Sequence, residues 1–234
     1  MNFKEGEVLY INKPLHWTSF SVVNKLRWKL SKTLGGEKIK VGHAGTLDPL
    51  ATGVLIICTG KLTKRIDEFQ AQTKEYIAAL KIGETTPSFD LELPINAHFP
   101  TEHVDLELIK KIIPKFTGEI WQRPPTYSAV KIDGKRAYNY ARGGQEVEIQ
   151  PKLLAIDEIE ILSFENLILT LRIVCSKGTY IRALARDIGL ALDSGAHLVG
   201  LQRTRIGNIR LEDCLTIEQA LELIENQTSQ KLNF

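Results

Sequence analysis

The chain has 234 residues, 43% hydrophobic and 25% charged, with a formal net charge of +2. That length allows a sizeable core, and the composition excludes collagen-like, coiled-coil and low-complexity classes. The longest purely apolar run, Val54 to Cys58, is too short to span a bilayer, the N-terminus lacks a signal-peptide hydrophobic region, and the three scattered cysteines form neither a disulfide framework nor a zinc knuckle. These features predict a cytoplasmic protein without membrane attachment.

A first strand is expected at Glu7–Asn12. Thr18 and Ser19 are good N-cap types for a helix running to about Leu34, with Val22, Val23, Leu26 and Leu30 on one face. "VLIICTG" reads as a buried strand, followed by a short helix over Lys61–Phe69, and "KEYIAALKIGE" as a strand ending at Gly83. A helix is expected near Asp105–Phe116, with Pro114 disturbing its end. Trp121–Val130 reads as extended around Pro124 and Pro125, and "GKRAYNYAR" as a short basic, aromatic helix. Strands at Leu153–Leu162 and Leu167–Cys175 are joined by a turn at Ser163–Asn166. A helix over Thr179–Leu192, a strand over Val199–Arg205, a terminal helix opened by a Thr216/Gln219 capping box and a frayed tail complete the chain. Helices and strands do not alternate regularly, so the pattern predicts an α+β domain with a mixed sheet.

Basic residues crowd four stretches, Lys25–Lys40, Lys61–Arg65, Lys131–Arg142 and Arg203–Arg210, while Glu84–Glu107 holds acids alone. Any one cluster is adequately explained as a solvated face; four of them in a near-neutral chain suggest a polyanion-binding side. Several chemistries fail on their motifs. "GVLIICTGKL" lacks the glycine and hydroxyl positions of a phosphate loop, and no GxGxxG, GxSxG, HExxH or metal-ligand spacing is present.

Asp48, in "KVGHAGTLDPLATGVLIICTG", sits between Leu47 and Leu50. Pro49 biases it to an extended conformation, and Gly42, Gly45 and Gly53 allow sharp turns or close approach. A capped turn and a catalytic carboxylate are equally good readings of this loop alone. Its apolar neighbours would favour a cationic partner; Arg182, in "SKGTYIRALARDIG", is a candidate, though a bridge to Asp187 or simple exposure explains it too. Taken alone, Tyr76 reads as core or cross-strand packing and His43 as a loop histidine.

Taken together, "NKPLHWTSF", "VGHAGTLDPLATGVL", "KEYIAALKIGETT", "QRPPTYSAVKIDGKRAYNYAR", "SKGTYIRALARDIG" and "GAHLVGLQRTRIG" resemble the segments of the bacterial tRNA pseudouridine-55 synthases (TruB type), in order and over nearly the whole chain. The resemblance implies the pseudouridine-synthase fold, a mostly antiparallel mixed sheet flanked by helices and loops. It assigns Asp48 as the catalytic aspartate, Tyr76 as the aromatic stacking on the target base, and Arg182 as the partner of Asp48. His43 would displace the target from its tertiary pairing, Tyr180 and Leu201 would line the pocket, and Lys13 with Pro14 would support the loop. Lys131 and Arg142 would hold RNA within an insertion at about 121–150. Ala44, His16 and Gln202 stand where the family commonly has threonine, glycine and arginine. Residues 1–210 would form the catalytic domain and 211–234 a C-terminal helix and tail, without the small PUA domain of many relatives.

The implied reaction isomerises uridine 55 of the tRNA T arm, flipped into the pocket, to pseudouridine. It breaks N1–C1′, rotates the uracil and rejoins it through C5, which requires no cofactor and no metal. Asp48 could attack C1′ or assist proton loss at C2′. The expected partner is tRNA, with no obligate protein partner and a monomeric enzyme. A non-catalytic tRNA-binding protein and a hydrolase using Asp48 are the competing readings; a glycosidase would be expected to place a second carboxylate across the bond.

Overall fold

The structure, a computed structural model, describes residues 1–128, 131–132, 135–137, 140 and 149–229. In chain order the elements are β1 (Val8–Lys13), α1 (Ser19–Thr33), β2 (Val41–Ala44), β3 (Ala51–Thr59), a 3₁₀ turn, α2 (Ile66–Ala71), β4 (Lys74–Ile82), β5 (Glu84–Thr85), β6 (Ala97–His98) and α3 (Leu106–Ile112). Then follow β7 (Gly118–Gln122), β8 (Lys131–Ile132), β9 (Lys135–Arg136), β10 (Lys152–Glu165), β11 (Ile168–Cys175), α4 (Ile181–Ala191), β12 (Ala196–Ile206), β13 (Ile209–Arg210) and α5 (Ile217–Ser229). They form two compact units, one of Met1–Glu75 with Gln202–Phe234 and one of Tyr76–Leu201.

In the first unit β3 runs antiparallel to β1, with Leu55 opposite Ile11, and antiparallel to β2, with Ile57 opposite His43. Both faces of β3 are covered, which explains its unbroken apolar run. Leu55 and Ile57 join Leu26 and Leu30 of α1 and Ile217, Ala220 and Ile224 of α5 in one core cluster. Val54, Ile56 and Cys58 face the other way, with Ile206, Leu62 and Ile66. The Thr18 hydroxyl caps α1 by accepting from the Ser21 amide. Thr216 and Gln219 cap α5 reciprocally, at 2.9 and 3.2 Å. Residues 211–229, set apart by the sequence reading, belong to this unit through α5.

In the second unit the strand order is β4–β11–β10–β7, and the ladders of β10 with β11 and with β7 are antiparallel. β4 alternates strictly, burying Tyr76, Ala78, Leu80 and Ile82. Asp105 caps α3, which gives way at Ile113 to a 3₁₀ turn containing Pro114, as a ring without an amide proton requires. The β10–β11 turn differs from expectation. The strands continue to Glu165 and from Ile168, leaving Asn166 and Leu167, both at positive φ (51° and 62°), as a two-residue hairpin loop. Residues expected to form a basic helix are partly strand, since Lys135 and Arg136 pair with β8; most of the remainder lies outside the described residues. The tail expected to fray is helical as far as Ser229.

Candidate active site

Asp48 occupies the short connection from β2 to β3. The glycine-rich loop of the sequence reading is shorter than expected because Val41–Ala44, including His43, form β2. Both flanks of the aspartate are tied down. Ser19, at the start of α1, accepts from the Leu47 amide at 2.8 Å and donates to the Leu47 carbonyl at 3.1 Å. On the other side the His16 amide donates to the Pro49 carbonyl at 2.8 Å. His16 lies at φ 64°, the left-handed region, which glycine adopts without steric cost.

Below the loop sits Arg203 from β12, only 1% exposed. It donates to the carbonyls of Val54 at 2.8 Å, Gly45 at 3.1 Å and Thr46 at 3.4 Å, clamping the loop from both ends. A Cβ at Gly53 would lie 2.2 Å from the Arg203 carbonyl, so the close strand crossing requires glycine. The sequence reading places Arg203 in a basic cluster and misses this role, since its neighbours Gln202, Thr204 and Arg205 give no sign of burial. Lys13, fully buried at the end of β1, donates to the carbonyls of Pro14 at 3.0 Å and Trp17 at 2.5 Å. Burial lowers its pKa to about 8; the Asp48 charge raises it and Arg203 lowers it further. His43 is pushed below the usual imidazole range by burial and then by Arg203, against the Gly45 backbone. Its enclosed Nδ1 has no hydrogen-bond partner among the described residues. The first unit therefore gathers Lys13, His43 and Asp48 around one buried guanidinium.

The second unit holds Tyr76, Tyr180 and Arg182. Tyr76, on β4, is buried. Tyr180 precedes α4, and its backbone exchanges two hydrogen bonds with the buried Gln122 side chain, at 2.9 and 3.2 Å. This pair fixes the start of α4 and hence Arg182, 5% exposed. Its Nη1 donates to the Ser88 carbonyl at 3.1 Å and its Nη2 to the Tyr127 carbonyl at 2.9 Å, while Nε lies 3.6 Å from the Asp90 carboxylate. Asp187, one suggested partner of Arg182, is instead paired with Arg186 at 2.8 Å. Asp90 was not anticipated; it lies in an acidic stretch without periodicity, where sequence offers no signal of burial. Leu201 is half-buried on β12, Lys131 belongs to β8, and Arg142 lies outside the described residues. Among the described residues no three His, Cys, Asp or Glu side chains are placed to share a metal ion, and no helix is long and apolar enough to cross a membrane.

Comparison with known proteins bears on this arrangement. Residues 31–181 match the family described as "TruB family pseudouridylate synthase (N terminal domain)", and residues 182–233 match "tRNA pseudouridylate synthase B C-terminal domain". A protein of Phocaeicola vulgatus named tRNA pseudouridine synthase B is 64% identical over 97% of both chains. One of Parabacteroides distasonis with the same name is 62% identical over 96% of both. Among solved structures, a chain of an H/ACA RNP bound to a substrate RNA containing 2'-deoxyuridine superposes with a TM-score of 0.69 at 27% identity, covering 98% of this chain and 56% of that one. A chain of a Cbf5-Nop10-Gar1 complex gives 0.68 at 30% identity, covering 94% and 54%. This chain thus spans little more than half of each of those two.

Proposed function

The chain belongs to the TruB family of pseudouridylate synthases, and within that family we propose that it converts uridine 55 of the tRNA T arm to pseudouridine, with Asp48 as the catalytic carboxylate. The observation that carries this reading is the Asp48 loop. Its flanks are bonded to Ser19 and His16, and its carbonyls are clamped by Arg203. A carboxylate so fixed is pre-positioned, as a group meeting an anomeric carbon must be. The names of the Phocaeicola and Parabacteroides relatives support tRNA as the substrate.

The reaction is an isomerisation. N1–C1′ breaks, the uracil turns, C5–C1′ forms, C5 loses its proton and N1 gains one. Asp48 captures or triggers the electron-poor sugar. The target base must leave its stack, which costs a few kcal/mol, and Tyr76 stacks on it in the proposed scheme, with Tyr180 and Leu201 as further pocket residues. Arg182 is assigned as the cation for Asp48, as the family resemblance implies. His43 is assigned to displacing the target from its tertiary pairing, as the family resemblance implies. Lys13 acts through the loop, and Lys131 and Arg142 hold phosphates. The enzyme acts as a cytoplasmic monomer without a protein partner.

Tritium release from tRNA transcripts labelled at uracil C5 tests the proposal. Wild type should release tritium, and Asp48→Asn should lose at least about 1000-fold in rate while still binding tRNA. Bound tRNA without release by the wild type would leave only a binding protein, and free uracil as product would mean hydrolysis.

A further inference from the structure

The four basic clusters of the sequence have different fates in the fold. Arg203 is buried in the loop clamp, and Arg205 pairs with Glu75 at 3.4 Å. Lys61 and Arg65 are paired with Glu5 and Glu68. Half of Lys131–Arg142, Arg142 included, lies outside the described residues. The Lys25–Lys40 cluster, largely on α1, behaves differently.

α1 buries Ser19, Val22, Val23, Leu26 and Leu30 against the core and contains no acidic residue. The opposite face presents two large aromatics to solvent, Phe20 at 59% exposure and Trp28 at 57%. Cations lie over both rings. Lys25 and Lys32 Nζ stand 5.8 and 5.4 Å from the Trp28 centroid, and Arg27 Cζ stands 5.9 Å from that of Phe20. Lys29, at the edge, is taken by Glu225 at 2.7 Å, and Arg27 donates to the Val41 carbonyl at 3.0 Å and the Asn24 side chain at 3.2 Å, whereas Lys25 and Lys32 are exposed and make no ion pair among the described residues. The helix also begins at the Asp48 loop, through the Ser19–Leu47 bonds, and extends from there for about 22 Å. Phe20 and Trp28 are spaced along it by about 12 Å.

We infer that the outer face of α1 is a second RNA-binding surface, on which Lys25 and Lys32 grip phosphates and Trp28 and Phe20 stack on bases or ribose faces of RNA beyond the target loop. Charge complementarity selects this occupant. Lysine is depleted at protein–protein interfaces, whereas exposed aromatic rings flanked by cations are the combination that holds an RNA strand. The inference rests on the reading of the substrate as tRNA.

The test compares wild type, Lys25→Ala/Lys32→Ala and Trp28→Ala for binding of full-length tRNA across a salt series, with pseudouridine formation by the wild type measured in parallel. Lys115→Ala, an exposed lysine of the second unit, serves as control and should bind like wild type. The double variant should bind roughly tenfold more weakly, with the slope of log affinity against log salt reduced by about two, one unit for each phosphate contact. Trp28→Ala should also weaken binding, with an unchanged slope. A wild type active on tRNA, alongside variants that keep its affinity and slope, would overturn this inference and leave the proposed function standing. Unchanged tRNA binding with loss of self-association in sedimentation would overturn it in favour of a protein interface. A wild type that neither binds nor modifies tRNA would remove the substrate reading itself, and this inference with it.

Discussion

Lys13 is a charged residue with no exposed surface, held on two carbonyls beside the candidate loop. Its ordinary pKa of 10.5 falls to about 8 in the fold, chiefly through burial. Between those values the unfolded chain keeps a proton that the folded chain has released, so this group makes stability rise with pH from about 8 upward. Cys58 and Cys214, pushed up to about 11 mainly by burial, act in the opposite direction above pH 9. Comparison with a variant isolates the lysine. Between pH 7 and pH 9 wild type should gain about 1 kcal/mol relative to Lys13→Met, read from urea midpoints. A constant difference across that range would show that Lys13 keeps its proton. The sequence resemblance marked Lys13 as loop support, but its titration depends on the Asp48 and Arg203 charges that only folding brings near.

At the scale of elements, β12 stabilises the β2–β3 loop through one side chain. Arg203→Met would leave the carbonyls of Gly45, Thr46 and Val54 without this donor inside the fold. The variant should be destabilised by at least about 3 kcal/mol in urea melts. Arg203→Lys, which retains the charge but not the fork, should lie between wild type and Arg203→Met, and kcat should fall in the same order as the Asp48 loop loosens. Full stability and kcat in Arg203→Met would mean the clamp is dispensable. Elements whose signals are local were legible in advance: the Thr18 cap, the Thr216/Gln219 box, the Pro114 break and the two-sided strand β3. Elements that exist by virtue of a partner were not. β2 is four residues held against β3, and the Asn166–Leu167 turn is set by the register of β10 with β11.

At the scale of the whole molecule, the first unit is assembled from both ends of the sequence. Ile217, Ala220 and Ile224 of α5 share one core cluster with Val22, Leu26 and Leu30 of α1. Truncation before Thr216 would uncover that side of α1. The shortened protein should lose its cooperative urea transition and bind a hydrophobic dye. A sharp transition at the wild-type midpoint would show instead that the terminal helix adds nothing to the core.

The sequence by itself determined the α+β class, most helices and long strands, and the TruB-type motifs that single out Asp48, because each is written in local periodicity, capping chemistry or a contiguous motif. Tertiary structure alone decided which charges are used. It turned Arg203 inward to clamp the Asp48 loop, set Asp90 against Arg182, and left the cations of α1 facing solvent around Trp28. The reason is physical. Lysine, arginine and aspartate look alike in a sequence whether solvated or buried, and their energies depend on partners brought close only when distant segments pack together.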